Sequence, residues 1–279
     1  MSTRVQISIE DHVAEVLLNR PEKHNALDMQ MFDELAAAGA RLSAESSVRA
    51  VILTGAGENF CAGIDLSIFN DPGNAIGPAS MAPQEGSYAN RFQRAAFAWR
   101  EVPVPVICAI RGVAFGGGTQ IALGADLRYA APDAKMSVME IRWGLIPDLA
   151  ISVTASNLVR EDLLRELAYT GRVVSGSEAL EIGMVTAVCE DPLSKARDTA
   201  RLIAGRSPDA IRGMKTLFNE RFGLDAGRSL SLEAELQSHI IGQANQMEAV
   251  RANIEGREPE FGDWTDAGKR NFGRPEPLK

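Results

Sequence analysis

The sequence predicts an α/β protein whose core is a layered sheet of largely parallel strands. Short apolar runs typical of buried strands alternate with segments of helical periodicity as far as about residue 190. Beyond about residue 191 helical patterns dominate, and 279 residues are enough to bury a full core. We therefore expect an α/β core over residues 1–190 and a helical region over residues 191–279.

The N-terminal segment predicts a hairpin, a helix and a buried strand in that order. Residues 5–9 and 13–18 are strand-like and are separated by a short polar turn. Asp28 is a preferred N-cap residue, and apolar residues recur after it at helical spacing, which predicts a helix as far as about residue 42. Residues 48–54 form an apolar run typical of a buried strand.

The middle of the chain predicts a long loop followed by further α/β elements. Residues 67–88 are rich in Gly, Pro, Ser and Asn without periodicity, which favours a lid or a binding segment. After this loop we expect a helix over residues 88–100. Three strands are expected after the helix, at residues 106–110, 127–130 and 135–138.

The C-terminal part predicts three helices, over residues 192–204, 208–221 and 230–254. Apolar residues of the last helix recur at roughly helical spacing, at Leu232, Leu236, Ile240 and Met247. These apolar faces need cover. We favour packing against a neighbouring subunit, and the alternative is that the helices fold back on their own core.

Composition excludes several classes of function. The net charge of −8 argues against nucleic acid as a partner, because phosphate binding needs a basic surface. No apolar run approaches the roughly 18 residues of a membrane span, and residues 1–4 lead into a strand pattern without a signal-peptide core. Three widely spaced cysteines suggest reduced thiols, so we expect a cytoplasmic protein. The three histidines lack ligand-like spacing, so no metal is expected.

Three consecutive glycines, Gly116, Gly117 and Gly118, stand between an apolar strand and an apolar helix. Glycine costs backbone entropy and offers no packing surface, so three in a row require a reason. They would leave the unpaired N–H groups of the first helical turn facing open space, where negative charge binds. The alternative is close packing of another segment against this turn.

Two glycine-containing segments could supply backbone donors to one substrate oxygen. The first is residues 60–66, directly after a strand and turn, and the second is residues 115–120. A carbonyl that becomes an enolate is stabilised by two N–H groups aimed at its oxygen. Ile64 and Gly117 are the candidate donors.

Two carboxylates could serve such a site as proton-transfer groups. Glu140 lies in an otherwise apolar stretch, where burial would raise its pKa, although a purely structural hydrogen bond or salt bridge is the alternative. Asp148 could be a second acid or base, or the N-cap of a helix beginning near Leu149, and these two roles are compatible.

The chain resembles the crotonase superfamily, the enoyl-CoA hydratase/isomerase family. Four segments carry the resemblance, in the family's order and over essentially the whole chain: residues 19–27, 60–66, 112–126 and 140–148. The resemblance implies a spiral of strand-strand-helix units as a catalytic core, and a helical C-terminal trimerisation region. It also implies a homotrimer or a homohexamer, and a coenzyme A thioester as substrate. No separate cofactor and no metal are implied, because coenzyme A is part of the substrate.

The resemblance also implies which residues touch the substrate. The thioester oxygen would be held by Ile64 and Gly117. Trp143 would either line the acyl pocket or fill the core. The remaining positions expected to contact coenzyme A or the substrate are Lys23, His24, Ala26, Ala62, Gly63, Asp65, Leu66, Ser67 and Phe261.

One position departs from the family pattern. Hydratases that this chain resembles carry a glutamate twenty residues before the position of Glu140, where this chain has Gln120. An amide neither takes nor gives a proton usefully near neutral pH, although Gln120 could still orient water or substrate. Asp148 matches an aspartate of dienoyl-CoA isomerases, which also carry an acid at the Gln120 position. The residues therefore favour double-bond isomerisation through Glu140. The alternatives are a hydratase that tolerates Gln120 and a non-catalytic acyl-CoA-binding module.

Overall fold

The computed structural model describes residues 3–70, 78–84 and 87–264. Within these residues strands and helices alternate as far as residue 188, and helices follow. The strands are β1 Val5–Glu10, β2 Val13–Leu18, β3 Ala50–Gly55, β4 Val106–Ile110, β5 Val113–Phe115, β6 Leu127–Ala130, β7 Lys135–Ser137, β8 Val174–Ser175 and β9 Ala187–Val188. The helices are α1 Met29–Ala44, α2 Arg94–Glu101, α3 Gly117–Leu123, α4 Ile151–Thr154, α5 Glu161–Thr170, α6 Gly176–Glu181, α7 Pro192–Ala204, α8 Pro208–Glu220, α9 Ala226–Ile240 and α10 Ala244–Glu255.

The larger sheet has the strand order β1-β2-β3-β4-β6-β9. The hairpin β1–β2 is antiparallel, and every other pair in this sheet is parallel. Residues of β4 are buried along its whole length, as expected of a strand covered on both faces. The prediction of an α/β core with largely parallel pairing is confirmed.

A second, smaller sheet lies beside the first, with the order β5-β7-β8. An isolated parallel bridge between Cys61 and Ala114 ties the segment after β3 to β5. The loops that follow β2, β3, β5 and β7 therefore meet at one edge of the two sheets. Ligands commonly bind outside the carboxyl ends of parallel strands.

Helix α1 begins where the sequence predicts. The side chain of Asp28 accepts a hydrogen bond from the backbone N–H of Met31 at 2.8 Å, which satisfies one of the donors left open at a helix start. The helix packs closely on α2, since a Cβ added at Gly39 would lie 2.6 Å from the Cβ of Ala98. The two helices together cover one face of the sheet.

The region between β3 and α2 differs from the sequence prediction. The predicted helix over residues 88–100 begins only at Arg94, because Asn90 builds a turn in which its side-chain oxygen accepts hydrogen bonds from the N–H groups of Phe92 and Gln93. Of the predicted loop over residues 67–88, positions 71–77 and 85–86 lie outside the described residues. Short 3-10 turns occupy Leu66–Asn70 and Pro78–Met81.

The C-terminal helices follow two different patterns of packing. Ala196 and Ala200 of α7 pack on Ile52 and Ile107 of the sheet, so this helix covers the chain's own core. The predicted single helix over residues 230–254 is two helices, because the chain turns at Gly242, whose φ of +77° interrupts it. Large apolar side chains on α9 and α10 stay exposed, namely Leu230, Met247, Val250 and Ile254. The boundary at residue 190 stays a prediction.

The cysteines are free thiols, as the sequence predicts. Cys61 and Cys108 are buried, and loss of hydration raises the pKa of Cys61 to about 12. In the part of the chain that the structure describes, no helix combines the length and apolarity needed to cross a membrane. Among the same residues, no group of three or more His, Cys, Asp or Glu side chains is placed to hold a metal ion.

Candidate active site

A cavity of about 290 Å³ opens at the edge where the loops after β2, β3, β5 and β7 meet. One wall is main chain, from residues 62–64 and 116–117. Gln120, Glu140 and Asp148 are its polar side chains among the described residues, and the remaining lining is apolar. The structure therefore brings the predicted backbone donors and the predicted proton-transfer groups into one space.

Backbone hydrogen bonds hold the two donor segments side by side. The N–H of Cys61 donates to the carbonyl of Val113 at 3.0 Å, and the N–H of Phe115 donates to the carbonyl of Cys61 at 3.0 Å. A Cβ added at Gly63 would lie 2.6 Å from the carbonyl oxygen of Phe115 and 3.8 Å from the nitrogen of Gly117. With a φ of +89° as well, position 63 requires glycine for this approach.

The two candidate donors have open N–H groups. Leu27 and Ile64 form an isolated parallel β-bridge. Its two hydrogen bonds run from the N–H of Leu27 to the carbonyl of Gly63 at 2.8 Å and from the N–H of Asp65 to the carbonyl of Leu27 at 2.9 Å. The N–H of Ile64 takes part in neither bond and points away from the bridge. Gly117 is the first residue of α3, where an N–H has no acceptor within the helix. Neither N–H donates to another group of the described chain, and both residues line the cavity.

The three glycines serve both roles that the sequence left open. A Cβ at Gly118 would lie 2.4 Å from the carbonyl oxygen of Cys61, which shows close packing of the neighbouring segment. Gly117 presents its N–H to the cavity, while a Cβ there would lie 2.8 Å from Leu27. Gly116 has a φ of +51°, and a Cβ there would lie 3.2 Å from the Glu140 carboxylate.

Glu140 is a buried carboxylate with one oxygen that has no partner among the described residues. It begins a short 3-10 turn, Glu140–Trp143, and is 9 % exposed. Its Oε1 accepts a hydrogen bond from Nε2 of Gln120 at 2.5 Å, whereas its Oε2 is buried without a partner among the described residues. Loss of hydration raises the pKa of Glu140, hydrogen bonding from its own backbone N–H and from Gln120 offsets part of the rise, and the nearby charge of Asp148 adds a smaller increase.

Gln120 is fully buried and holds Glu140 in place. Its Oε1 accepts the backbone N–H of Leu149 at 2.8 Å, which leaves the amide nitrogen to donate to Glu140. These two hydrogen-bond partners determine which end of the Gln120 amide is the nitrogen and which is the oxygen. The role of Gln120 in orienting water or substrate stays a prediction; in the structure both ends of its amide are engaged within the protein.

Asp148 lines the cavity, and burial raises the pKa of its carboxyl group. Of the two compatible roles that the sequence left open for Asp148, that of N-cap to a helix beginning near Leu149 is wrong. Helix α4 begins at Ile151, and its N-cap position is Ala150, where no side-chain cap hydrogen bond forms. Ala150 has a φ of +63°, so the chain bends between Asp148 and the helix.

The residues expected to hold coenzyme A lie mostly on one side of the cavity. The N–H of Ala62 donates to the carbonyl of His24 at 2.9 Å, which places the turn at residues 21–24 beside the first donor segment. Arg20 joins the two segments, since it donates to the carbonyl of Ala26 at 3.1 Å and to Asp65 at 2.6 Å. Lys23, His24 and Ser67 are exposed there, whereas Ala62, Gly63 and Leu66 line the cavity.

Asp65, which Arg20 connects to residues 20–26, is an ionised carboxylate. Burial acts to raise its pKa, but hydrogen bonds from Ser67 and from Arg20, together with the positive charge of Arg20, lower the pKa of Asp65 to about 2. An ionised Asp65 therefore locks the two segments through Arg20 over the whole physiological pH range.

Phe261 is not part of this site in this chain. Its carbonyl accepts a hydrogen bond of 2.8 Å from Arg49, which stands immediately before β3. The donor segment at residues 62–64 follows the other end of the same strand. The structure therefore places Phe261 at the opposite edge of the sheet from Lys23 and Ile64.

Several lining residues were not identified from the sequence. The apolar walls include Leu27, Phe32, Phe92, Met139 and Leu149. Phe32 lies three residues before Leu35 on the buried face of α1, and this spacing was a usable signal. Trp143 lines the cavity and is 52 % exposed, so the alternative that it fills the core is wrong.

The family model described as enoyl-CoA hydratase/isomerase matches residues 8–265. The chain belongs to the enoyl-CoA hydratase/isomerase family. The short-chain-enoyl-CoA hydratase of Clostridium acetobutylicum is 32 % identical over 255 residues, covering 90 % of this chain and 94 % of that protein. The mitochondrial Δ3,5-Δ2,4-dienoyl-CoA isomerase of rat is 31 % identical over 262 residues, covering 90 % of this chain and 79 % of that protein.

Solved structures confirm the fold of this enoyl-CoA hydratase/isomerase family member. The enoyl-CoA hydratase of Bacillus anthracis superposes with a TM-score of 0.83 at 29 % identity, covering 92 % of this chain and 98 % of that one. The predicted crotonase-like fold and the prediction of an enzyme are thereby confirmed, and action on an acyl-CoA is supported. Because the similar proteins include both hydratases and isomerases, the family does not select between the two reactions.

Proposed function

We propose that this enzyme moves the double bond of an enoyl-CoA by proton transfer through Glu140. The observation that carries the proposal is the single unpartnered oxygen of this carboxylate. Oε2 of Glu140 is buried at the cavity and has no partner among the described residues, while Gln120 holds Oε1. A general base needs a basic atom that no protein group occupies and a pKa raised toward the working pH. Glu140 lines the cavity, its Oε2 has no partner among the described residues, and burial raises its pKa.

The reaction needs no other reactant. The N–H groups of Ile64 and Gly117 would donate to the thioester oxygen, where negative charge develops as the enolate forms. Oε2 of Glu140 would take a proton from the α or γ carbon of the substrate, so that a C–H bond breaks and an O–H bond forms. The same proton, or one from protonated Asp148, would return at the other carbon and complete the shift of the double bond.

Gln120 is the reason for favouring isomerisation over hydration. Addition of water requires one group to take a proton from the water and another to give a proton to carbon, and each typically contributes about 10²–10⁴-fold to the rate. An amide supplies neither. The Gln120 amide is also engaged by Glu140 and by the N–H of Leu149.

Hydration is the second candidate, and one observation favours it. Asp148 is a further cavity carboxylate with a raised pKa, which would allow it to supply the missing proton-transfer group. Hydratases are also among the similar proteins.

One experiment separates the two reactions. The enzyme is incubated in heavy water with a 3-enoyl-CoA and, separately, with a 2-enoyl-CoA. Isomerisation converts the 3-enoyl ester to the conjugated 2-enoyl ester, so absorbance rises and deuterium enters at the α or γ carbon. Hydration of the 2-enoyl ester lowers the same absorbance and adds the mass of water. If no 3-enoyl ester of the panel is converted to its conjugated 2-enoyl isomer, the isomerase proposal is overturned.

Coenzyme A would enter this site as part of the substrate, so we propose no separate cofactor and no metal. Lys23, His24, Ala26, Asp65 and Ser67 would lie along the nucleotide, and the exposed Lys23 at the joined segments supports this placement. Phe261 could reach a nucleotide only in a neighbouring copy, since it lies at the far edge of its own sheet. The cytoplasmic location stays a prediction.

The exposed apolar surface of the C-terminal helices supports assembly with further copies of this chain. Residues of α8, α9 and α10 line a shallow apolar hollow that includes Ala210, Ile240, Val250 and Ile254. Ile254 is 81 % exposed, which is costly for a large apolar side chain unless another surface covers it. We propose a homotrimer, or a hexamer formed from two trimers.

A further inference from the structure

The inner part of the cavity is closed by buried apolar side chains. Leu27, Phe32 and Phe92 line the cavity and are almost fully buried. The outer part is formed by apolar side chains that are half exposed, including Phe69, Met81 and Trp143. The space therefore has a blind inner end and an open apolar mouth.

Phe32 and Phe92 form the inner end as a rigid pair. Their ring centroids are 5.2 Å apart and their planes meet at 88°, an edge-to-face contact. Phe32 belongs to α1, whereas Phe92 belongs to the turn before α2, where Asn90 accepts its backbone N–H at 3.0 Å. Two separate elements thus hold the pair, namely α1 and the turn that leads into α2.

Apart from Gln120, Glu140, Asp148 and the indole N–H of Trp143, the side chains among the described lining residues are apolar. Glu140 and Asp148 are the charged side chains among the described lining residues, and Gln120 is already engaged on both sides. A hydroxyl placed against the Phe32–Phe92 pair would lose its hydrogen bonds to water without replacement. Such a loss lowers affinity by roughly tenfold or more.

The size of the space sets a limit on the group that fills it. A cavity of about 150 Å³ holds benzene. This cavity is about 290 Å³, roughly twice that volume, and part of it receives the reacting carbons. An acyl group of about six to ten carbons fits, whereas a much longer chain would run into the aromatic pair.

We propose that this site takes a wholly apolar, medium-length acyl group, and that Phe92, supported by Phe32, determines its maximum length. The inference deepens the proposed function, and it rests on that function only in taking an acyl-CoA as the ligand. Straight-chain and aryl acyl groups share the required chemistry.

Binding of saturated acyl-CoAs tests the proposal without any reaction. Calorimetry with the native enzyme compares butanoyl-, octanoyl-, 8-hydroxyoctanoyl-, 3-phenylpropanoyl- and hexadecanoyl-CoA. Octanoyl-CoA should bind at least tenfold more tightly than butanoyl-, 8-hydroxyoctanoyl- and hexadecanoyl-CoA. The phenyl ester shows whether a ring fills the space as well as a chain does. Equal affinity for all the straight-chain esters, or tight binding of the hydroxylated ester, would overturn the proposal.

The role of Phe92 is tested by Phe92→Ala and by the milder Phe92→Leu. Both should shift the preference toward longer chains, with the ratio of dodecanoyl-CoA to octanoyl-CoA affinity rising about tenfold in Phe92→Ala and less in Phe92→Leu. Phe97→Ala is the matched control, because Phe97 lies in α2 but does not line the cavity. If Phe92→Ala does not fold, Phe92→Leu decides alone, and an unchanged length preference in a folded variant refutes the role of Phe92.

These outcomes are distinct from a failure of the proposed reaction. If medium-chain esters bind as expected but no 3-enoyl ester is converted to its conjugated isomer, the isomerase proposal fails and the inference on acyl length stands. If exchange occurs equally at all chain lengths, the inference fails and the isomerase proposal stands.

Discussion

Gln120 donates its amide N–H to Oε1 of Glu140 across 2.5 Å. The carbonyl of the same amide accepts the backbone N–H of Leu149, so the amide cannot exchange its two ends without losing a hydrogen bond. This relationship engages one oxygen of the Glu140 carboxylate and leaves the other, Oε2, without a partner among the described residues. A glutamate at position 120 would instead compete with Glu140 for a shared proton.

Glu140→Gln should abolish proton exchange. The variant keeps the shape of the side chain but removes the basic oxygen, so turnover of enoyl-CoA should fall by about 10²–10⁴-fold. Loss of α-proton exchange in heavy water, measured by mass spectrometry, checks this. Binding of a saturated acyl-CoA should change little. Activity within tenfold of the native enzyme would mean that another group is the base.

Gln120→Glu should raise hydration. It introduces the second carboxylate that a water-adding site requires, so hydration of a 2-enoyl-CoA should increase by at least tenfold, followed as loss of conjugated absorbance. Gln120→Leu is the control, since it removes the hydrogen bond to Glu140 without adding an acid. We expect Gln120→Leu to lower kcat for isomerisation by more than it changes KM. Unchanged hydration in Gln120→Glu would show that position 120 does not select the reaction.

The buried carboxyl group of Glu140 should make the protein less stable as the pH rises. Burial raises the pKa of Glu140, so the folded chain holds this proton to a higher pH than the unfolded chain. Below the unfolded pKa of about 4.3 both states are protonated, and as pH rises through the folded pKa the ionised group destabilises the fold. Glu140→Gln should therefore raise the Tm at pH 8, and this gain should vanish near pH 4.

Calorimetric unfolding at the two pH values measures the effect. The control is Glu181→Gln, because Glu181 is exposed at the end of α6 and its replacement should shift the Tm at neither pH. A Tm of Glu140→Gln that is lower than the native value at pH 8 would contradict the expected sign.

Gly117→Ala should weaken catalysis more than binding. A Cβ at this position would lie 2.8 Å from Leu27 and 2.9 Å from Leu149, so the backbone must shift and move the N–H that we propose for the thioester oxygen. Loss of one such donor typically lowers kcat by about 10²–10³-fold. Gly205→Ala is the control, because the nearest atom to its added Cβ is 3.6 Å away. Equal kinetics in the two variants would remove Gly117 from the mechanism.

Ile254→Glu should disrupt assembly. Ile254 on α10 is 81 % exposed beside the apolar hollow of the C-terminal helices, and a buried charge at a subunit interface is strongly destabilising. Sedimentation equilibrium should give a trimer or a hexamer for the native chain and smaller species for the variant. The exposed Leu202 of α7 provides a comparison, since Leu202→Glu lies outside the hollow. A native monomer would refute the proposed assembly.

The local rules of helix and strand formation were readable in the sequence. Asp28 and Pro192 mark helix starts in the structure as the sequence predicts, because capping and proline geometry act over three or four residues. The split of residues 230–254 was missed, because apolar residues recur at similar spacing on both sides of Gly242. A glycine within such a pattern is compatible with either a weak helix or a turn.

The candidate site was only partly predictable, for a related reason. Ile64, Gly117 and Glu140 could be found because each lies in a short motif with its own chemistry. The hydrogen bond from Leu149 to Gln120 joins residues 29 positions apart, and the Phe32–Phe92 pair joins two elements that no local pattern connects. The sequence left Asp148 open as an acid or base or as a helix cap, because aspartate suits both roles, while the bend at Ala150 that excludes the cap is a tertiary constraint.

The donors we assign to the thioester are peptide N–H groups, which every residue except proline carries. The chemistry performed on the activated carbon would then be decided elsewhere, by whichever side chains occupy positions 120, 140 and 148. Because the backbone binds the thioester oxygen and the side chains transfer protons, a single substitution at one of those three positions could change the reaction and leave activation of the thioester intact. This chain, with the amide Gln120 at one of the three positions, would illustrate how the reaction can change while the N–H groups that bind the thioester oxygen stay the same.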